Sequence, residues 1–537
     1  MTLDLVILRP EFSLLFGFLV LLWYGTGGLV APLSEKLTVA EPLRCVRIAS
    51  SGRAKQASKA GAEQGANAGP AHAATALTLW RLLWCALSAA LMFYGPLHSV
   101  FLGGRFQKDQ YRSMLCGVLF LTGLLVLRVS YGWQKAAAIR HPEYVYLRML
   151  ALMGQYLLVQ TTDLMSMYLC MELQSFSLVV LCGLNSKSAL RLEAAMKYFL
   201  LSAFRSCLLL LGIGMIYWQT GETKIRILEN IAERSALEPS LFLLLGIWFV
   251  SMGLLWKLAA APLHFWVPDV YTGAWSSVSL WITVMPKIAV LSFWTMHWQA
   301  LWGNRFGSTL AFFRILSMLI GAFAPLAQTS LKRLLAYSSI GHMGLLLMPL
   351  CGCGSRAGGS RARSSLGALW THMFIYILTN LGVWALIMWP RSRPSSYGSG
   401  GRSRSAAGPQ YIWDLKGLAK SSATAARRWA ILMTSLAGLP PVYGFLGKAL
   451  ILWDSVNNGL YTTVAVALLY TLVGAVYYLK VMKVCYVDSP SSWRTYAKTN
   501  SITAYTVRGV VRLMMIGLWC GNVMFLFTHL AGLRATC

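Results

Sequence analysis

Lys257 and His264 stand seven residues apart in Lys257-Leu-Ala-Ala-Ala-Pro262-Leu-His264-Phe-Trp-Val-Pro268-Asp269-Val-Tyr271, a segment otherwise apolar enough to lie inside a bilayer. Seven residues is two helical turns, so on an unbroken helix the two would share a face. A charged side chain at membrane depth costs roughly 2.5–3.5 kcal/mol on insertion scales and rarely survives without a task. Pro262 between them breaks the backbone ladder, which lipid tolerates only where protein or a water-filled cavity covers the freed groups. Ionisable groups on a broken helix point to an ion path.

More such groups follow the same logic. Glu172 sits in Tyr168-Leu-Cys-Met-Glu-Leu-Gln-Ser-Phe-Ser, Lys197 in Glu193-Ala-Ala-Met-Lys-Tyr-Phe, and Lys287 directly after Pro286 in Val284-Met-Pro-Lys-Ile-Ala-Val. Glu172 and Lys257 carry opposite charge and each is costly alone in hydrocarbon, so the two are expected to meet. Desolvation favours a neutral amine and a nearby carboxylate favours the ammonium. A lysine between those influences gains or loses a proton when its partner moves, as a proton relay requires. The second half echoes the first: Ser435-Leu-Ala-Gly438-Leu-Pro440-Pro441-Val-Tyr-Gly444-Phe-Leu-Gly447-Lys448 is again a Gly/Pro interruption beside one buried lysine. The lysine precedes the proline in one half and follows it in the other, which suits an inverted-topology repeat. His342, in Tyr337-Ser-Ser-Ile-Gly-His-Met-Gly, serves either to bridge the halves or only as a packing residue. Asp269 is expected to bind backbone or cap a turn. Arg205, eight residues after Lys197, has no explanation in the sequence.

The elements that must position these groups are membrane helices. Of 537 residues 57% are apolar and 12% charged, against about 25% charged in soluble domains. Continuous apolar runs of about 20 residues, long enough to cross roughly 30 Å of hydrocarbon, fill most of the chain. They do not alternate, which argues against a β-barrel. The expected fold is an all-α polytopic membrane protein of about 14 transmembrane helices, two of them discontinuous, with an inverted-topology repeat. Residues 1–111 hold N-terminal helices and 112–143 a third helix with its loop. The breaks fall at 257–268 and 436–448. A loop and last helix occupy 486–537. Stretches 50–76, 353–365 and 391–408 are rich in Gly, Ser, Ala or Arg, bury no core and read as flexible insertions.

The formal charge of +29 lies mostly in loops, not along one amphipathic face, so it sets topology and excludes nucleic acid as the expected partner. Its distribution places both termini on the outer side. Anionic lipid such as cardiolipin suits the loop charge. Eleven cysteines are scattered, with no four-ligand spacing for zinc or an iron–sulfur cluster. No Gly-rich nucleotide fingerprint or phosphate-binding loop is present. No metal or cofactor is expected in this chain.

The segments WKLAAAPLHFWVPDVYTGA, MPKIAVL, QTSLKRLLAYSSIGHMG and SLAGLPPVYGFLGK resemble the antiporter-like subunits of proton-pumping NADH:ubiquinone oxidoreductase, respiratory complex I. MELQSFS, EAAMKYFLLSAF and VDSPSSWRTYAKTN look closest to the subunit 2 type in its mitochondrial form. The likeness runs, with gaps, from about residue 107 to 500 and keeps motif order. It implies that Glu172 pairs with Lys257, that Lys197 modulates the pair, and that His264 and Lys287 carry protons to the central axis. It also implies that Lys448 serves a second half-channel, and that the helices form two inverted five-helix repeats, at 144–300 and 307–485. By the same likeness FMN, iron–sulfur clusters and ubiquinone belong to partner subunits. Neighbours would be the subunit 4 and subunit 4L types, accessory subunits and phospholipid, in the mitochondrial inner membrane with the termini facing the intermembrane space. Two rivals share the broken-helix lysines: a stand-alone Mrp-type cation/proton antiporter, and a scaffold whose buried charges only hold helices together.

Overall fold

A computed structural model describes residues 99–136, 143–184, 188–234, 240–302, 306–350, 359–389, 391–392, 409–440, 442–489, 495–496 and 501–516. The first expected span, all but residues 99–103 of the second (79–103), the 50–76 insertion and the end of the last span lie outside these residues, as does nearly all of 391–408; Ser99–Phe101, expected in the second span, are a strand. Within them the protein is a bundle of helices: α1 Gln110–Ala136, α2 Glu143–Gln160, α3 Leu164–Gly183, α4 Ala189–Thr220, α5 Ile225–Arg234, α6 Leu241–Leu258, α7 Trp266–Gly273 and α8 Ser276–Phe293. There follow a π-helical turn Trp294–Trp298, α9 Gln299–Trp302, α10 Gly307–Phe323, α11 Leu331–Leu346, α12 Gly359–Ile387, α13 Leu418–Ser421, α14 Ala423–Ala437, α15 Tyr443–Asn457, α16 Tyr461–Tyr486 and α17 Ser501–Ile516. Among the described residues, strands form two short antiparallel pairs, Ser99–Phe101 with Phe106–Lys108 and Arg391–Ser392 with Thr495–Tyr496. Helix α12 starts at Gly359, so it takes up part of the stretch that composition assigned to the 353–365 insertion.

Eight helices among the described residues are long and apolar enough to cross a membrane, and the chain is a multi-pass integral membrane protein. Other expected spans fall short for visible reasons. Helix α2 carries Arg148, Gln155 and Gln160 in 18 residues. The span expected at 428–456 is divided into α14 and α15, of 15 residues each. Burial sorts the spans: the most apolar windows of α12 and of α8 with its extension are 94% buried, against 33% for α4 and for α16. The first two form the centre, and the outer faces of the last two are open to lipid or to neighbouring proteins.

Both breaks use one device. Helix α6 ends at Leu258, where Ala259 takes the left-handed conformation (φ 64°). Its N–H donates to Trp256 O (3.0 Å), and Ala260 N–H to Leu255 O (3.1 Å), a six-to-one closure with a left-handed cap. Helix α14 ends at Gly438 (φ 76°), with Leu439 N–H donating to Thr434 O at 3.2 Å. The freed backbone is covered by protein, as hydrocarbon requires. Ala261 N–H donates to Ser317 Oγ of α10 (2.8 Å), and the Trp266 indole donates to Trp256 O (3.2 Å). Left-handed backbone costs a residue with a Cβ about 1–2 kcal/mol. Ala259→Gly is therefore expected to stabilise the chain by up to about 1 kcal/mol, read as a higher unfolding midpoint in detergent. A lowered midpoint would show that the Ala259 methyl packs for more than the backbone gains.

Candidate functional site

The first buried group forms where α3, α4 and α6 meet. Glu172 and Ser175 lie three residues apart on α3, hence on one face. Tyr198 and Arg205 lie seven apart on α4, also on one face. Lys257 Nζ donates to Ser175 Oγ (2.9 Å) and to Tyr198 OH (3.1 Å), and sits 5.5 Å from the Tyr198 ring centre. Arg205 Nη2 donates to Glu172 Oε1 (2.6 Å) and to Ser175 Oγ (3.1 Å), and Ser206 Oγ donates to the same Oε1 (2.7 Å). The expected Glu172–Lys257 pair is thus corrected: the carboxylate is bound by Arg205, and Ser175 stands between the two cations. The physical reason is the helical register of α4, which sets an always-charged guanidinium against Glu172.

Lys197, one residue before Tyr198, is rotated by about 100° to another side of α4. Its Nζ binds Asp269 Oδ2 and Glu193 Oε1, both at 2.8 Å. Asp269 is held a second time by Arg333 of α11 (2.9 Å), so it makes ion pairs between elements and is not the turn cap expected of it. The modulating role for Lys197 would have to act from this outer cluster. Its side chain is 43% exposed and that of Asp269 32%, so solvent screens these pairs and their contribution to stability is small. Lys197→Gln is expected to lower any ion movement less than about threefold. A loss as large as that on removing Lys257 would put Lys197 back among the essential groups.

The second group spans the centre. Lys287, on α8 just after Pro286, donates to Tyr376 OH of α12 (3.0 Å) and lies 5.0 Å from its ring centre. His342 of α11 faces Tyr376 at 5.5 Å between ring centres, His372 of α12 at 5.6 Å and Tyr470 of α16 at 6.3 Å. Lys448 of α15 completes the row, 5.7 Å from the Tyr470 ring. Its Nζ reaches back to Leu436 O (2.9 Å) and Ala437 O (2.8 Å), the carbonyls that end α14. That is a cation on the negative end of a half-helix. Both ring nitrogens of His342 and of His372 are buried without a hydrogen-bond partner. His264 lies in the first break, mostly buried, stacked on Phe265 at 4.9 Å with Nδ1 unpartnered. No hydrogen bond among the described residues joins it to Lys257 or Lys287.

Three buried amines on or beside proline- and glycine-interrupted helices, none with a carboxylate within ion-pair distance among the described residues, define this as a membrane protein of the broken-helix class. Residues 161–474 match the family described as NADH:quinone oxidoreductase/Mrp antiporter, TM. The chain is 34% identical over 399 residues to NADH-quinone oxidoreductase subunit N 1 of Rhizobium meliloti (strain 1021), covering 72% of this chain and 77% of that protein. It is 33% identical over 420 residues to NADH-quinone oxidoreductase subunit N of Paramagnetospirillum magneticum, covering 76% and 82%. A chain of respiratory complex I from Thermus thermophilus superposes with a TM-score of 0.68 at 25% identity, over 84% of this chain and 93% of that one. A chain of the Mrp complex from Dietzia sp. DQ12-45-1b shares the fold at a TM-score of 0.68 and 18% identity, over 86% and 90%. The chain belongs to the NADH:quinone oxidoreductase/Mrp antiporter family, in its subunit N branch.

Spacing in the sequence flagged the amines but missed their partners. Arg205 had a signal, its seven-residue offset from Tyr198. His372 and Tyr376, four apart on α12, also share a face. Ser175 and Tyr470 carry no charge and gave no signal above ordinary packing.

Proposed function

We propose that this chain is a proton-translocating membrane-arm subunit of NADH:ubiquinone oxidoreductase, working without a redox centre of its own. The observation that carries the reading is the row Lys287–Tyr376–His342–Tyr470–Lys448. It runs through the Tyr376 hydroxyl, the unpartnered His342 imidazole and the Tyr470 ring, from one proposed repeat to the other. A buried amine with no carboxylate beside it is held only by dipoles and ring faces, so small movements of those partners decide whether it carries a proton. Protons loaded at the Lys257 site pass by way of His264 to Lys287, then along the row to Lys448 and out. Electron transfer, with FMN, iron–sulfur clusters and ubiquinone, belongs to partner subunits, and the impulse arrives here through the membrane arm.

The two repeats fall at 144–300 and 307–485. The subunit 4 and subunit 4L types, accessory subunits and cardiolipin are the expected neighbours. The mitochondrial inner membrane is the expected site, with both termini toward the intermembrane space. Purification from native membranes tests the assignment: the chain is expected to co-migrate with a large NADH-oxidising assembly whose turnover acidifies one side of sealed vesicles. Cation/proton exchange by the chain alone in liposomes would instead establish an independent antiporter. Tyr376→Phe keeps the ring beside Lys287 and removes the hydroxyl. It is expected to slow pumping about three- to tenfold without changing assembly, since one hydrogen bond to a charged group contributes about 1.5–3 kcal/mol and part of that is regained by relaxation. Unchanged pumping would remove Tyr376 from the path.

A further inference from the structure

Arg205 and Glu172 are charges at the first site to which the relay path gives no part. The Arg205 guanidinium is 1% exposed, yet only Nη2 is engaged; Nε and Nη1 are buried without a hydrogen-bond partner. Ser175 Oγ accepts from Nη2 and from Lys257 Nζ, and donates its own proton to Met171 O (2.6 Å), so its capacity is filled. Glu172 and Arg205 cancel one another, which leaves any proton on Lys257 without a compensating charge. Arg205 and Lys257 also line the same small cavity, together with Tyr198, Ser202, Trp256 and Trp266. There are therefore two cations, one carboxylate, one hydroxyl that touches both cations, and open space beside them.

We propose that Arg205 is a positioning residue that competes with Lys257 for Glu172, so that the carboxylate alternates between the two cations across Ser175. With Glu172 on Arg205, as in this structure, Lys257 is released from its counter-ion; with Glu172 on Lys257, Arg205 turns its free nitrogens to the cavity. An arginine suits the fixed pole because it does not give up its proton, whereas the lysine does. The inference rests on the relay reading and adds to it a residue that sets when Lys257 is compensated.

The test uses the complete NADH-oxidising assembly in sealed vesicles carrying Arg205→Gln, Arg205→Lys, Glu172→Gln, the double Arg205→Gln/Glu172→Gln and Lys257→Met. Proton uptake per NADH oxidised is measured from about pH 6 to 9, with assembly followed on native gels. Arg205→Gln is expected to lower pumping about fivefold or more and to displace its pH profile by about one unit, which a merely structural role would leave in place. Arg205→Lys should restore pumping only toward the acid end of that range, where the introduced amine keeps its proton and can still hold Glu172. The double variant should be no worse than Glu172→Gln alone, because Arg205 acts through that carboxylate. Multiplying losses in the double variant, or an unmoved pH profile in Arg205→Gln, would overturn the proposal. If Arg205→Gln leaves an unpaired carboxylate that blocks assembly, the double variant should restore assembly by removing both charges, and failure to do so would also overturn it. Lys257→Met separates the two ideas: pumping that survives it sinks the relay reading, whereas pumping lost there with a flat Arg205 result sinks only this one.

Discussion

Lys257→Met lowers proton translocation at least about tenfold in the assembled complex, while NADH oxidation measured with an uncoupler stays within about twofold of wild type. The side chains are similar in length, so the cavity at Tyr198 and Trp266 is not enlarged. The substitution removes a buried amine held only by Ser175 Oγ and Tyr198 OH. Replacing such a charge by an apolar side chain is neutral or stabilising as often as not, so a folding defect is not expected to cloud the measurement. What disappears is the amine that the relay reading loads with a proton, while the Glu172–Arg205 pair beside it is left in place. Pumping retained at wild-type stoichiometry would mean that the buried charges merely tie α3, α4 and α6 together. Lys197→Met is the matching control, because that amine lies in the half-exposed cluster with Glu193 and Asp269.

The positions of the costly charges and of the helix breaks were legible in the sequence, and their partnerships were not. Lys257, Lys287 and Lys448 stand out because hydrocarbon makes any amine conspicuous. Pro262 and the Gly438–Pro441 stretch stand out because they forbid a continuous ladder. Pairing depends on rotation about a helix axis, and one residue changes the direction by about 100°. Lys197 and Tyr198 are adjacent, yet one joins the outer ion cluster and the other touches Lys257. Opposite charge alone suggested Glu172 with Lys257; the register of α4 gives Glu172 to Arg205 instead. The central row was less visible still, because Tyr376 and Tyr470 look like packing aromatics until the helices that carry them are brought together around His342. Even the break at Gly438 was legible only in part, since its meaning lies in which side chain closes it.

That closure makes the second half of the site sensitive to a glycine that bears no chemistry. Gly444→Ala is expected to cut the level of assembled protein and its pumping at least about tenfold. A Cβ built there would stand 1.9 Å from Ser435 O, and real Cβ atoms essentially never come within 3.0 Å of a neighbour. The obstacle is backbone, so no side-chain rotation relieves it, and α14 and α15 must separate by at least about 1 Å. Overpacking of this kind costs about 1–3 kcal/mol, occasionally more. Gly444 lies one helical turn before Lys448 on α15, and Ser435 directly precedes Leu436. The same displacement therefore stretches both bonds from Lys448 Nζ, now 2.9 and 2.8 Å, toward breaking. Gly438 cannot absorb the shift, because its left-handed backbone sits against the Lys448 stem, where an added Cβ would come within 2.5 Å of Cδ. Helix stability and the position of the relay amine are thus set by one contact between the two half-helices. Gly214→Ala, in the middle of α4 with nothing within 4 Å of its would-be Cβ, should be neutral or slightly stabilising by helix propensity. Equal behaviour of the two variants, in thermal unfolding of the detergent-purified complex and in pumping, would show that the junction is soft and that Lys448 is positioned by something other than the end of α14.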